Sequence, residues 1–307
     1  MASIMTVLGL IPISGLGMIL PHEHLFTDLR GPRTPGYAQA NPANVVGRLR
    51  PYIEEIKAQG ITALAEASTS GVGRNIRLLH AVAQATDLPV IAPTGAYRDD
   101  LIPDELRDQP QEALTDWMVQ EILEGAEGTR IRAGFIKLAA SDSGLTPLEV
   151  RLLRAAAQAS LQTGAAIASH TTVGATALRQ VEILEQEGLE PRRFIWVHAH
   201  AEPDVELHLR LARRGAYLEY DAIGAPDHPD GFFIDRLKRV WDAHCGQRVL
   251  LSQDAGWYHP GEPDAPIRGY GHLVRQFLPA LRQAGFDNAA IDAMVRENPQ
   301  RALALEG

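Results

Sequence analysis

Short apolar segments alternate with amphipathic stretches along the whole 307-residue chain, and this alternation limits the possible folds more than any other feature. Near-continuous apolar runs are typical of strands that are buried on both faces of a parallel sheet. Eight such runs occur, at residues 17–20, 61–67, 90–95, 134–139, 165–169, 194–198, 216–220 and 249–252. Eight strand–helix repeats predict an α/β fold, the (β/α)₈ or TIM barrel.

Helix signals fill the intervals between these runs. Residues 45–59 have an apolar face and end before Gly60, a residue suited to a helix C-terminus. Thr146, Pro147 and Glu149 form the N-terminal signature of a helix that is expected to end before Gly164. Residues 205–214 and 232–244 repeat the helical pattern. These positions fit the helices of a barrel.

An open, doubly wound parallel sheet is the alternative fold. It usually carries a glycine-rich phosphate loop after an early strand, and the only glycine cluster near one, at residues 70–74, fits neither common phosphate-binding motif. No change in composition marks a domain boundary. We therefore expect residues 1–307 to form one barrel domain, with a short N-terminal β-hairpin leading into the first strand.

Charge and cysteine content exclude several classes of protein. The net charge of −9 argues against binding to nucleic acid or to anionic membranes, and the single cysteine excludes a disulfide scaffold. No apolar run is long enough to span a bilayer. Residues 5–20 lack the basic start of a signal peptide and are interrupted by Pro12, Gly15 and Gly17. We expect a cytoplasmic protein whose partner is a small-molecule substrate.

Metal-binding side chains occur where several predicted strands end. In a barrel these ends meet at one mouth. His22 and His24 are two residues apart, so in a strand both imidazoles point to one face while Glu23 points to the other. Isolated His-x-His pairs are common, but here the same mouth also receives His170, His198, His200 and Asp254. The set predicts a site for a divalent metal such as zinc.

Lys137 is the most unusual residue of this set, since it lies within the apolar fourth strand. Burial lowers the pKa of a lysine and exposes a nucleophilic amine. Such an amine can add carbon dioxide, and the carbamate can bridge two cations. A lysine that reaches solvent or an acidic partner is one alternative, and a Schiff-base lysine is another. Asp254 could bind a metal and accept a proton from water; a surface aspartate in a turn is its alternative.

Motifs distributed over nearly the whole chain resemble those of the phosphotriesterase family in the amidohydrolase superfamily. They are LPHEHL at 20–25, GVGRN at 71–75, TGAY at 94–97, IRAGFIK at 131–137, YDAIG at 220–224, LLSQD at 250–254 and RENPQR at 296–301. The resemblance implies a barrel with a binuclear metal centre, and a homodimer is common among such proteins.

The resemblance also implies roles for individual residues. His22, His24 and Asp254 would hold the more buried ion, and His170 and His198 the more exposed one. Carboxylated Lys137 and a hydroxide would bridge both ions. Zn²⁺ is the expected metal, with Mn²⁺, Co²⁺ and Fe as alternatives. Asp254 and Lys137 would be catalytic, with Asp254 passing a proton to the leaving group.

Two positions depart from the pattern of the resembled family. Ala222 occupies the position where many lactonases have arginine and the best-known phosphotriesterases have histidine. His198 is followed by Ala199, His200 and Ala201, without the acidic residue of those phosphotriesterases. The usual proton relay is therefore absent or rebuilt through His200.

Several residues are candidates for substrate contact. Tyr97 matches a tyrosine that lactonases place near the metals, and Trp257, Tyr258 and Arg268 follow the last strand. Arg74 and Arg98 lie in other loops expected near the mouth. Together these features predict a lactone or carboxyl-ester hydrolase with promiscuous phosphotriesterase activity. A primary organophosphate triesterase and a barrel that only binds a ligand are the alternatives.

Overall fold

The chain forms a closed (β/α)₈ barrel in a computed structural model that describes residues 2–305. The predicted hairpin precedes the barrel, with Ser3–Thr6 antiparallel to Gly9–Pro12. The barrel strands are β1 Met18–Phe26, β2 Ile61–Glu66, β3 in two pieces (Val90–Ile91 and Pro93–Thr94), β4 Phe135–Ala139, β5 Ile167–His170, β6 Phe194–Val197, β7 Tyr217–Tyr220 and β8 Val249–Leu251. Consecutive strands pair in parallel from β1 to the first piece of β3, and from its second piece to β8.

Hydrogen bonds between the end of β8 and β1 close the barrel. The His22 amide donates to Ser252 Oγ at 3.0 Å, and the Asp254 amide donates to the His22 carbonyl at 3.2 Å. A short strand, β9 (Gly256–Tyr258), then pairs with the second half of β1. This pairing extends β1 to Phe26, beyond the predicted end at residue 20, so both imidazoles of His-x-His lie within a strand.

Helices surround the barrel between its strands. They are α1 Pro42–Ala58, α2 Ile76–Thr86, α3 Asp104–Arg107, α4 Gln111–Leu123, α5 Pro147–Thr163, α6 Gly174–Gln186, α7 Val205–Arg214, α8 Asp230–Asp242, α9 Leu278–Gln283, α10 Asn288–Asp292 and α11 Asn298–Leu303. Short π-helical turns, Leu273–Phe277 and Ala293–Glu297, precede α9 and α11. Among residues 2–305, no helix combines the length and apolar character needed to cross a bilayer.

The capping signals in the sequence correspond to real helix ends. Thr146 and Glu149 form a capping box at the start of α5, and Gly164 ends this helix at φ 72°. Helix α1 begins three residues before the predicted start because the Asn41 side chain accepts the Ala43 amide at 2.9 Å. Helix α8 occupies residues 230–242 rather than 232–244.

Apolar side chains fill the lower half of the barrel, at the amino-terminal ends of its strands. Ile19, Phe135, Ile195 and Leu250 belong to this interior cluster. Ile4 of the hairpin and Leu303 of α11 join the same cluster, so the two ends of the chain cover the barrel floor. A second, larger apolar layer packs between the strands and the surrounding helices. The opposite end of the barrel is left open for polar residues.

Candidate metal centre

A cavity of about 400 Å³ opens at the carboxyl-terminal ends of the barrel strands. Its size is typical of a site for a small molecule. All six side chains predicted as metal ligands line it: His22, His24, Lys137, His170, His198 and Asp254. Residues as far apart in the sequence as His22 and Asp254 therefore meet at one cavity, as their positions at strand ends predict.

His22, His24 and Asp254 form one compact group of possible metal ligands. Their donor atoms all lie within 4.8 Å of one another. Asp254 Oδ1 is 2.9 Å from His24 Nε2 and 3.5 Å from His22 Nε2. Burial alone would raise the pKa of the Asp254 carboxyl, but the imidazoles of His24, His22 and His198 lower it well below its usual value. The carboxylate is thus ionised at neutral pH.

Two acidic residues, Glu219 at β7 and Asp221 directly after this strand, contact the imidazoles of His22 and His198. His22 Nδ1 is 3.0 Å from Glu219 Oε2 and 3.2 Å from Asp221 Oδ2, while His198 Nδ1 is 2.7 Å from Asp221 Oδ1. Burial acts to lower the pKa of His22, but these carboxylates raise it to about 10. Glu219 and Asp221 are not among the predicted site residues, although Asp221 follows β7 as Asp254 follows β8.

Lys137 reaches the cavity from β4 and is only 2 % exposed. Across residues 2–305, no carboxylate oxygen lies within the 4.0 Å ion-pair distance of its Nζ atom. Burial lowers the pKa of this amine, and the more distant charges of Glu219 and Asp221 only partly oppose that effect. Lys137 is thus a buried lysine that lines the cavity without an ion-pair partner among residues 2–305.

His170 lies at the end of β5, the strand that pairs with β4. Its ring centroid is 4.5 Å from that of His198, and its Nδ1 atom is 3.1 Å from the Tyr97 hydroxyl. Burial, followed by the positive charges of His198 and Lys137, lowers the pKa of His170 well below its usual value. A neutral imidazole is the form that binds metals.

The predicted substrate residues divide into two groups. Tyr97 and Trp257 line the cavity, and the Trp257 ring lies 4.2 Å from that of His24. Tyr258 does not line it, because strand alternation turns its ring outward onto Phe26, 6.0 Å away. Arg268 lies behind the wall, where its guanidinium donates to the backbone carbonyls of Gln253 and Asp254. Tyr97 and Trp257 therefore lie where a substrate could contact them, whereas Tyr258 and Arg268 are not among the residues that line this cavity.

The other two loop arginines, Arg74 and Arg98, also differ in whether they reach the cavity. Arg98 lines the cavity, and its Nε atom is buried and donates no hydrogen bond to the residues that the structure describes. Arg74 instead forms a buried bidentate pair with Glu121, with nitrogen–oxygen distances of 2.5 and 2.6 Å. Arg74 thus has a buried structural partner, whereas the carboxylates within 4.0 Å of the Arg98 guanidinium belong to the exposed residues Asp100 and Asp142.

His200 packs beside the site without entering the cavity. Its Nδ1 atom is buried, lies 3.2 Å from Asp221 Oδ1 and makes no hydrogen bond within residues 2–305. Its ring is 5.3 Å from that of His228. This contact with Asp221 is consistent with the rebuilt relay that the sequence suggests, and that role stays a prediction.

Comparisons with known proteins agree with this geometry. The sequence profile described as "Phosphotriesterase family" matches residues 2–303. The chain is 32% identical over 293 residues to the phosphotriesterase homology protein of Escherichia coli K12, covering 93% of this chain and 97% of that one. It is 29% identical to the N-acetyltaurine hydrolase of Mus musculus, over 99% of this chain and 98% of the relative.

A solved structure gives the same result for the fold. A mutant of the PTE-like lactonase of Deinococcus radiodurans superposes with a TM-score of 0.87 at 29% identity, covering 98% of this chain and 99% of the lactonase.

Proposed function

The chain belongs to the phosphotriesterase family, and we propose that it hydrolyses a lactone or carboxyl ester at a binuclear metal centre, with weaker phosphotriesterase activity. Its relatives support the coarser statement that it is a hydrolase enzyme. The observation that carries the proposal is the convergence of four histidines, one aspartate and one buried lysine on a single cavity. This residue set suits catalytic metal ions better than a passive binding site.

The side chains at the mouth fit metal ions. Asp254 Oδ1 is buried and accepts no hydrogen bond from the described residues, although buried polar atoms are normally paired. Together with His22 and His24 it forms a compact set of one oxygen and two nitrogen donors, which suits Zn²⁺. These three residues would hold one ion, and His170 and His198 would hold the second.

Lys137 would join the two ions as a carboxylated lysine. Its buried amine, with a lowered pKa and no carboxylate partner within residues 2–305, supports this modification. The amine adds to carbon dioxide, a C–N bond forms, and one proton is released to solvent. The resulting carbamate would carry one negative charge shared by two oxygens, in place of the neutral amine.

The bound ions would supply Lewis-acid activation of the scissile bond and of a water molecule. Asp254 Oδ1, ionised and beside His24, is the group that would accept the water proton and pass it to the leaving group. Burial raises the pKa of the Tyr97 hydroxyl, so Tyr97 keeps its proton as a hydrogen-bond donor. Leu29, Val72 and Leu101 add an apolar wall to the cavity.

Arg98 favours a second candidate substrate class, an N-acyl amide with an anionic tail. Its guanidinium lines the cavity, and the nearest carboxylates belong to the exposed residues Asp100, at 3.3 Å, and Asp142, at 3.6 Å. Ion pairs between exposed groups are weak, so a substrate anion can compete for Arg98. The mouse relative named N-acetyltaurine hydrolase makes this class worth testing.

A substrate panel tests the proposal. Purified protein is analysed for bound metal and assayed with lactones, aryl esters, a paraoxon-type phosphotriester and N-acetyltaurine. The proposal expects about two ions per chain, and the highest kcat/KM for a lactone or ester. Phosphotriester turnover far above every lactone would make the organophosphate alternative correct. Preference for N-acetyltaurine, lost in Arg98→Leu, would favour the amide. If the protein contained no metal and turned over none of these substrates, the alternative of a barrel that only binds a ligand would be favoured.

A further inference from the structure

Glu23, the central residue of His-Glu-His, is completely buried and faces away from the cavity. Its carboxylate accepts three hydrogen bonds, all from the end of β8. Oε1 accepts the Ser252 hydroxyl at 2.9 Å and the Gln253 amide at 3.0 Å, and Oε2 accepts the Ala255 amide at 2.7 Å. These donors surround Asp254 in sequence, so Glu23 binds the backbone on both sides of it.

Arg268 binds the same turn through its carbonyl groups. Its Nη2 atom donates to the Asp254 carbonyl at 2.6 Å and to the Gln253 carbonyl. The Glu23 carboxylate therefore accepts hydrogen bonds from amides of the turn, and the oppositely charged Arg268 guanidinium donates hydrogen bonds to its carbonyls. Both hold peptide groups directly adjacent to Asp254.

The turn needs such support because its backbone is unusual. Asp254 has φ 51° and Trp257 has φ 74°, in the left-handed region that non-glycine residues rarely adopt. Gly256, with φ 100°, lies so close to β1 that a Cβ atom there would be 1.8 Å from the His24 carbonyl oxygen. Left-handed φ angles at non-glycine residues cost free energy, so surrounding contacts must stabilise this conformation.

We propose that Glu23 and Arg268 are positioning residues that hold the turn at residues 253–256 so that the Asp254 carboxylate faces His22 and His24. This inference rests on the proposed metal centre. The central glutamate of His-Glu-His then has a function separate from that of its neighbours. The imidazoles face the cavity, and the carboxylate fixes the third member of their group from the opposite side of the strand.

Glu66 provides a parallel on the other side of β1. It accepts the amides of Leu25 and Ser68, and the Ser68 hydroxyl is 2.7 Å from His24 Nδ1. Glu66 lies 3.6 Å from His24 Nδ1 and also binds the Ser68 amide, so it supports a histidine. Glu23 and Arg268 instead bind backbone groups at and beside Asp254. Groups behind metal ligands typically change metal affinity when they are removed.

Glu23→Gln tests the proposal at nearly constant volume. The amide NH₂ replaces one carboxylate oxygen and meets either the Ala255 amide or the donors from Ser252 and Gln253, placing donor against donor. We expect Co²⁺ to bind the metal-depleted variant roughly 10- to 100-fold more weakly than wild type in calorimetric titration. We expect kcat to fall with KM changed less than twofold, because the cavity wall is unchanged.

Two further variants separate positioning from general stability. Arg268→Met removes the donor on the carbonyl side, and should weaken Co²⁺ binding in the same direction even where Glu23→Gln fails to fold. Glu149→Gln is the matched control, because Glu149 is also a buried glutamate that accepts backbone amides, from Asp99 and Thr146, at 3.1 and 3.0 Å. It should lose stability while keeping wild-type Co²⁺ affinity.

The outcomes distinguish this inference from the proposed function. Wild-type Co²⁺ affinity in both Glu23→Gln and Arg268→Met would overturn the positioning role and leave the metal centre intact. Failure of the wild-type chain to bind Co²⁺ at all would overturn the metal centre itself. A crystal structure of metal-free Glu23→Gln should show Asp254 displaced from His24, a change that the Glu149 control should not produce.

Discussion

The mouth and the floor of the barrel are built from the same strands, yet they have opposite chemistry. Inward-facing positions two residues apart change from apolar to polar along four strands. The pairs are Phe135 and Lys137 on β4, Ala168 and His170 on β5, Tyr217 and Glu219 on β7, and Leu250 on β8 with Ser252 directly after that strand. Asp221 and Asp254 lie two residues further along the chain. The change occurs within one strand step.

This difference separates stability from function within a single sheet. Buried apolar groups at the floor stabilise the fold, whereas buried polar groups at the mouth are costly unless they are paired. The mouth also contains three non-glycine residues with left-handed φ angles: His198, Asp254 and Trp257. Strained backbone of this kind tends to occur where function needs a particular side-chain direction.

The largest expected effect comes from Lys137→Met, at the mouth. Loss of the proposed shared ligand should reduce kcat/KM by about 10³-fold or more, roughly 4 kcal/mol of activation free energy. The metal-free variant should unfold in denaturant with equal or higher free energy, because an apolar chain of similar length replaces a buried amine. Lys137→Ala should regain part of its activity when a short carboxylate is added. Full activity of Lys137→Met would show that Lys137 has no catalytic or metal-binding role.

Phe135→Ala, two residues earlier on the same strand, should have the opposite consequence. Phe135 is buried at the floor, so the truncation should cost about 3–5 kcal/mol of unfolding free energy. Activity per folded molecule should stay within about twofold of wild type at a temperature below the transition. Urea denaturation and active-site titration measure the two quantities. A loss of metal from the folded variant would contradict the division between floor and mouth.

His208 in α7 sharpens the comparison because it is a buried histidine outside the barrel. Its Nδ1 atom is 2.7 Å from the Tyr220 hydroxyl, and its Nε2 atom is 3.0 Å from the Glu202 carbonyl. Burial lowers its pKa to about 4, so the unfolded chain binds a proton below about pH 6.5 that the folded chain does not. The unfolding free energy should therefore fall between pH 6.5 and 4, by up to ~3 kcal/mol from this residue.

His208→Gln checks this contribution, because glutamine can donate to Glu202 and accept from Tyr220 without titrating. Unfolding free energies measured from pH 7 to 4 should be flatter in the variant than in wild type. His80→Gln, at a half-buried position on α2, is the control and should follow the wild-type profile. Identical profiles for wild type and His208→Gln would contradict the assignment.

Strand-end positions were the most informative part of the sequence for the site. They predict six metal ligands, and the structure gathers all six around one cavity: His22, His24, Lys137, His170, His198 and Asp254. Tyr258 and Arg268 were selected from proximity to Asp254 in the chain, and proximity does not decide direction. The alternation of side chains along a strand turns Tyr258 outward onto Phe26. The loop after β9 folds back, so the Arg268 guanidinium contacts the Asp254 carbonyl behind the cavity wall.

The sequence by itself determined the barrel and the kinds of side chain at its mouth, because strand and helix periods and strand-end residues are local properties of the chain. Only the tertiary structure decided which polar groups meet. Glu219 and Asp221 beneath the histidines, Arg98 in the cavity wall, and Glu23 and Arg268 around Asp254 depend on contacts between residues up to 232 positions apart. Such contacts arise when the barrel closes, and no local pattern specifies them.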